Sequence, residues 1–232
     1  MRNQIASSEF RATCCEFLVR SFGAPTELWN LPLVRLTDEL LSARIFVWPS
    51  GYENTRHEHN HWSVAGVLLH QIQILIFREG ADIEPSVQFT GNAGDVGLLK
   101  SPCIHQIRNA ANHAAVSFHV FETTEEEADA VEGLSDTVWH GDKVDRYRTG
   151  LRRRTELATV EMLRELPGNF AVPLLNRMFG LVGNSTKLAV ARAVASFSPS
   201  IASEQLLELA NAVDPKLSDN LAAIASRLKS LG

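Results

Sequence analysis

The chain has 232 residues, enough for one good-sized domain with an appendage. Apolar residues make up 45% and charged residues 21%, the balance of a soluble globular protein rather than a disordered or membrane-embedded one. A formal charge of −5 argues against a general nucleic-acid binder.

The first segment, residues 1–32, predicts a helix from Ser7 to about Phe22. Phe10, Cys14, Phe17, Leu18 and Phe22 recur at helical spacing, and Ser7 or Ser8 can cap the start. Gly23, Pro25 and Pro32 then break the chain. MRNQIASSEFRATCCEF has no apolar stretch of signal-peptide length. The longest apolar runs, VAGVLL and ILIF, are far too short to cross a bilayer. Three cysteines, Cys14, Cys15 and Cys103, give no disulfide framework, so a reducing, cytoplasmic setting is expected.

From 33 to 125 the pattern changes to strands. RIFVWPS, HWSVAGVLLH, IQILIFRE, VQFT, DVGLLK, HQIRN and AAVSFHVFE are short and rich in β-branched and aromatic residues. Gly51, Gly66, Gly80, Gly91-Asn92, Gly94 and Pro102 punctuate them. Some seven strands at this spacing predict a β-sandwich or barrel.

Residues 126–154 read as a linker. It opens on an acidic stretch and ends in the run Arg152, Arg153 and Arg154, a solvated connector or helix start. From 155 to 232 helical periods dominate: Glu156–Leu166, Phe170–Leu181, Thr186–Ser196, Ser203–Ala212 and Leu217–Leu231. Ser203 and Ser218 are the expected starts of the last two. This tail has no clean repeat and no catalytic-looking cluster, so packing or oligomerisation is its expected role.

The chemistry concentrates in RHEHNHW, where His57, His59 and His61 alternate, and in SPCIHQIRN, which holds His105. Strand side chains return to one face every second residue, so the first cluster shares a face. With one imidazole from a neighbouring strand, three neutral nitrogens converge on a metal of the zinc, copper, iron or nickel group.

These stretches, with GDVGLLK before the second and AVSFHVF after it, resemble the cysteine dioxygenase (thiol dioxygenase) branch of the cupins. The resemblance covers roughly Leu33 to Phe121. It implies a mainly β fold, a cupin double-stranded β-helix barrel with an N-terminal helix and a C-terminal all-helical extension. His57, His59 and His105 match the iron(II) ligands of that branch, with zinc, nickel and manganese as alternatives. Common cupins carry a glutamate ligand four or five residues after the second histidine. Ser63 and Val64 stand there instead, which points to the three-histidine branch and leaves metal positions open.

Ser117 and His119 match the family's Ser–His pair beside the iron. The family continues this pair through a tyrosine; here Phe121 stands in its place and has no hydroxyl. Val64 takes the position of the cysteine that crosslinks to that tyrosine in animal members. Arg35 matches the arginine that pairs with the substrate carboxylate, a role suited to a planar two-donor fork. Trp62 is read as a wall of the substrate pocket or as ordinary core. His61, His70 and Cys103 are candidates for supporting positions around the metal; a thiolate at Cys103 would favour zinc, and a buried apolar role is the other reading. Asn109 is expected to hold the turn or backbone near His105.

The leading expectation is a non-haem iron(II) dioxygenase that turns a small carboxylate-bearing thiol, of the cysteine or 3-mercaptopropionate type, into its sulfinate. Small-molecule substrate and dioxygen are then its partners, with no nucleic acid and no membrane; a homodimer is a family expectation. The alternative keeps the metal as a Lewis acid in an isomerase or epimerase. A third reading is a non-enzymatic ligand-binding module whose helical tail passes on a signal.

Overall fold

Alternating apolar positions between 34 and 122 do form strands, nine among the described residues: β1 (Val34–Thr37), β2 (Leu41–Trp48), β3 (His57–His59), β4 (Ser63–Leu69), β5 (Gln71–Phe77), β6 (Val87–Asn92), β7 (Val96–Leu99), β8 (Cys103–Arg108) and β9 (Ala115–Glu122). The computed structural model describes residues 2–23, 34–37, 40–59, 61–80, 84–122 and 142–230; within these, the side chains of 2, 3, 34–37, 59 and 142–149 lie outside the description.

The strands build two antiparallel sheets, in the orders β1-β2-β9-β4-β7 and β3-β8-β5-β6. Strands β2 to β9, shared between two sheets in these orders, give the double-sheet jelly roll. The inner faces meet in one core, with Phe46, Trp48 and Val67 from the first sheet against Ile72 and Ile107 from the second. The register places β2 against β9 (Arg44 opposite His119, Phe46 opposite Ser117) and β3 against β8 (His57 opposite His105, His59 opposite Cys103).

Two local features shape this unit. His70 links β4 to β5 in the left-handed region, φ 57°, a conformation costly for a residue with a Cβ. At Gly66 of β4, a Cβ would lie 1.7 Å from the Cδ1 of Ile5, so the position accepts no side chain while Ile5 stays in place. Ile5 is itself buried and ends the short helix α1 (Arg2–Ile5).

The remaining helices are α2 (Ser8–Ser21), α3 (Asp142–Arg164), α4 (Gly168–Phe179), α5 (Asn184–Ala195), α6 (Pro199–Ala210) and α7 (Pro215–Lys229). Ser7 caps α2, its Oγ accepting from the Phe10 amide at 3.2 Å. Helix accounts for 46% and strand for 27%, so "mainly β" describes the jelly roll and not the chain as a whole.

Boundaries also differ from expectation. Helix α3 starts at Asp142, inside the stretch read as linker, and Arg152 within it pairs with Glu156 one turn on, at 3.1 Å. Pro199 and Pro215 sit in the first turns of α6 and α7, where a missing N–H costs nothing. Asp214 caps α7 by accepting from the Leu217 amide. Ser203, expected as a start, lies buried inside α6 and donates to the Ala225 carbonyl of α7 at 2.9 Å.

The chain divides into two compact units, Met1–Phe10 with Pro25–Ala158, and Arg11–Ala24 with Thr159–Gly232. The second unit is helical, and from α4 to α7 each helix packs on the next. Most of α2 belongs to it; Arg11 pairs with Glu165, and Cys14, Cys15, Leu18 and Val19 are buried. No helix among the described residues is long and apolar enough to cross a membrane.

Candidate functional site

A cavity of about 40 Å³ opens between the two sheets of the jelly roll. The β3–β8 sheet contributes His57 and His105, and the facing sheet contributes Arg44, Phe46 and Trp48 of β2 with His119 and Phe121 of β9. Its lining is mostly aromatic and aliphatic, with the imidazoles and Arg44 as the polar exceptions beside Tyr52, Asn54 and Ser63. A second hollow, about 320 Å³, is lined mostly by Ile, Val and Leu and holds no imidazole.

His57 and His105 meet because their strands pair in register, with ring centroids 4.4 Å apart. Each ring is oriented by a backbone carbonyl two residues back. The Nδ1–H of His57 donates to Thr55 at 2.9 Å, and that of His105 to Cys103 at 3.3 Å. A carbonyl only accepts, so in the neutral ring the proton sits on Nδ1 and the lone pair on Nε2. A carbonyl behind the ring is the usual partner of a metal-bound histidine. His59 follows on the same strand opposite Cys103, and its side chain lies outside the described residues. Among the described residues, no group of three or more His, Cys, Asp or Glu side chains gathers at metal-binding spacing.

The loop before β3 is fastened to β8. The Asn54 amide donates to the Ile107 carbonyl, Asn54 Oδ1 accepts from the Ile107 amide at 2.6 Å, and the Asn109 amide donates to the Tyr52 carbonyl. This pairing sets Tyr52, Asn54 and His57 along the cavity wall. Asn109 is fully buried. Its side-chain NH2 donates to the carbonyls of Trp48 (2.8 Å) and His113 (2.7 Å), and its Oδ1 accepts from the Ala111 amide. Of the two expected roles, a turn or the backbone near His105, these bonds give the first, since they hold the turn from Ala111 to His113 and tie it to the end of β2.

On the opposite wall Trp48 Nε1–H donates to Ser117 Oγ at 2.7 Å, and Ser117 Oγ lies 2.7 Å from His119 Nε2. With the serine O–H donating to His119, all three buried groups are satisfied, and the His119 proton sits on Nδ1. Phe46 packs edge-on to the His119 ring, and Phe121 stacks on it.

The other sequence candidates lie elsewhere. Among the described residues, the cavity lining includes none of His61, Trp62, His70 or Cys103. His61 faces the Glu122 carboxylate at 3.9 Å, and His70 stacks on His113 at the β4–β5 turn. Burial raises the Cys103 thiol above its usual range, and the Glu58 carboxylate adds to the shift, so the thiol stays protonated at neutral pH. Arg35 lies on β1 opposite Arg44, and its side chain is outside the described residues.

Tyr52 and Arg44 are among the cavity-lining residues that the sequence did not single out. Tyr52 brings a phenol to a site whose position 121 lacks one. Arg44 brings a guanidinium that is only 2% exposed. Strand alternation held the clue to the second, since Ser42, Arg44, Phe46 and Trp48 are every second residue of one strand.

No family model matches the chain, and no curated protein matches it. Several solved structures resemble it distantly. An RmlC-like cupin from Shewanella frigidimarina is 18% identical, with 40% of this chain and 77% of that one covered at a TM-score of 0.34. The Cnp3 cupin domain of Schizosaccharomyces pombe is 15% identical, with 42% of this chain covered at 0.34; the chain spans 63% of that structure's length. A conserved protein with a double-stranded β-helix domain from Klebsiella pneumoniae is 16% identical, with 45% and 85% covered at 0.36.

Proposed function

We propose that the jelly roll is a cupin-type, metal-dependent enzyme that oxidises a small thiol bearing a carboxylate to its sulfinate. The observation that carries the reading is the His57–His105 pair, two rings side by side with both Nδ1 protons held by backbone carbonyls. Such rings suit a divalent transition metal, and His59 on the same strand is proposed as the third ligand. A bound iron(II) would supply Lewis acidity toward a thiol and redox reactivity toward dioxygen. In balance, the thiol and one dioxygen become one sulfinic acid, with both oxygen atoms on sulfur.

The chain's own residues have three tasks in this reading. Phe46, Trp48, Ile107 and Phe121 give the cavity apolar walls. The Trp48–Ser117–His119 chain fixes the His119 tautomer, so that His119 holds a proton on Nδ1. The compact space between the sheets suits a short-chain substrate.

A second reading, a non-oxidative isomerase or epimerase, draws on Phe121. Without a hydroxyl at 121, the groups around the cavity that can exchange a proton are the imidazoles and the Tyr52 phenol, a set suited to moving protons. Oxygen consumption separates the two. Protein loaded with iron(II) is expected to take up one dioxygen per thiol with cysteine or 3-mercaptopropionate. Bound metal with no uptake would transfer the weight to the isomerase.

A further inference from the structure

The larger hollow of the jelly roll, about 320 Å³, lies between β4 and β7 of one sheet and β5 and β6 of the other. The strand register explains why the space is there. Residues directly opposite in an antiparallel pair share a face. Ser63, which lines the imidazole cavity, stands opposite Leu99, and two residues on Ala65 stands opposite Gly97. The inner face at that pair therefore carries a methyl group and a hydrogen where a filled core carries branched side chains. A Cβ on Gly97 would meet nothing within 4 Å.

On the facing sheet Ile72 and Ile74 stand opposite Gly91 and Phe89 of β6. Phe89 is 53% exposed although it shares this inner face with the buried Ile72, so the hollow opens between β6 and β7, the edge strands of their sheets. Its polar side chains are Thr90 and Asp95, and the Asp95 carboxylate accepts from the Asn92 amide at 2.8 Å in the β6–β7 turn. No cation lines it among the described residues. At its inner end the hollow adjoins the imidazole cavity. Leu99 lines both, and Ile76 of the hollow stands opposite His105 across the β5–β8 ladder.

We infer that this hollow is the path by which dioxygen reaches His57 and His105. The inference rests on the oxidative reading of the imidazole cavity, and it names the side from which the second substrate arrives. Dioxygen is small, uncharged and apolar, so it passes favourably from water into a space walled by aliphatic side chains. Cavities of this character take up xenon or benzene. A thiol bearing a carboxylate would lose hydration there with no cation to receive it, so the hollow discriminates between the two substrates.

Xenon tests occupancy directly: crystals of the wild-type chain pressurised with xenon are expected to show it between Ala65 and Gly97. Access is read without turnover from oxygen quenching of Trp48, which lines the imidazole cavity, in a chain carrying Trp29→Phe, Trp62→Phe and Trp139→Phe. Gly97→Leu puts a branched side chain into the hollow and is expected to cut the oxygen quenching constant at least threefold. Gly97→Ala should fall between, and acrylamide quenching should not change. On iron(II)-loaded protein, Gly97→Leu is expected to raise the KM for dioxygen at least threefold and to leave the KM for the thiol where it was. An absence of xenon from the hollow would overturn the inference, as would unchanged oxygen quenching in Gly97→Leu shown to be folded by circular dichroism. If Gly97→Leu does not fold, the xenon positions in the wild-type chain still decide. Xenon in the hollow and Gly97-dependent quenching, in a metal-loaded protein that consumes no dioxygen with any thiol, would sink the oxidative reading alone. Thiol-dependent uptake whose KM for dioxygen is unmoved in Gly97→Leu would sink this one alone.

Discussion

His57 stands directly opposite His105 in the β3–β8 ladder, and each ring is pinned by the carbonyl two residues before it. Metal affinity is therefore expected to depend on both rings together. His57→Ala or His105→Ala should cut the metal content of the purified protein from about one per chain to less than about a tenth of that, while the jelly roll stays folded. Elemental analysis with far-UV circular dichroism measures both. Full metal loading of His105→Ala would remove this pair from the coordination sphere.

Ser117→Ala should act on His119 without touching it. The substitution leaves Trp48 Nε1–H and His119 Nε2 without their shared partner inside the core, at a cost of about 1–3 kcal/mol. The diagnostic readout is the ¹⁵N shift pattern of His119, which is expected to change from one fixed tautomer to a mixture. An unaltered pattern would mean that something other than Ser117 sets the tautomer.

Asn109 ties the end of β8 to the end of β2 and to the loop at His113. Asn109→Ala would strand two carbonyls and one amide, so a loss of about 2–4 kcal/mol in urea unfolding is expected. Because the Tyr52–Asn54 loop hangs on the same backbone, metal affinity should fall in parallel. A destabilised variant with undiminished metal affinity would separate the loop from the site.

In the helical unit, burial pushes the Cys14 and Cys15 thiols up from 9.0 to about 12. The unfolded thiols ionise near pH 9 while the folded ones keep their protons. Their contribution is thus complete below pH 9 and is lost as pH rises from there toward 12. Each thiol adds a slope of about 1.4 kcal/mol per pH unit in that window. Unfolding midpoints of wild type and Cys14→Ala/Cys15→Ala, measured from pH 8 to 10.5, should converge as pH rises. Parallel curves would show that these thiols do not titrate on unfolding.

Much of the site was legible because strand geometry is periodic. Periodicity set the alternating histidines of HxH on one face, and the resemblance carried by IHxxxN and SFHVF implied the pairing of His57 with His105 and of Ser117 with His119. Arg44 was passed over because an arginine in a strand is ordinarily at the surface, and its neighbours Ile45 and Val47 are buried as well, which blurs the alternation. His61 shares the parity of His57 and His59 in sequence, but it lies beyond the end of β3, where the face is no longer kept. Helix α3 was read too short because its first turns are as charged as a linker, and a charge pattern cannot separate a solvated helix from solvated coil.

The contact between Ile5 and Gly66 makes strand β4 depend on residues far away in the sequence. Ile5 acts as a borrowed side chain, filling from outside the volume that position 66 leaves empty. Ile5→Ala would therefore open a void against the strand that pairs Ala65 with His119.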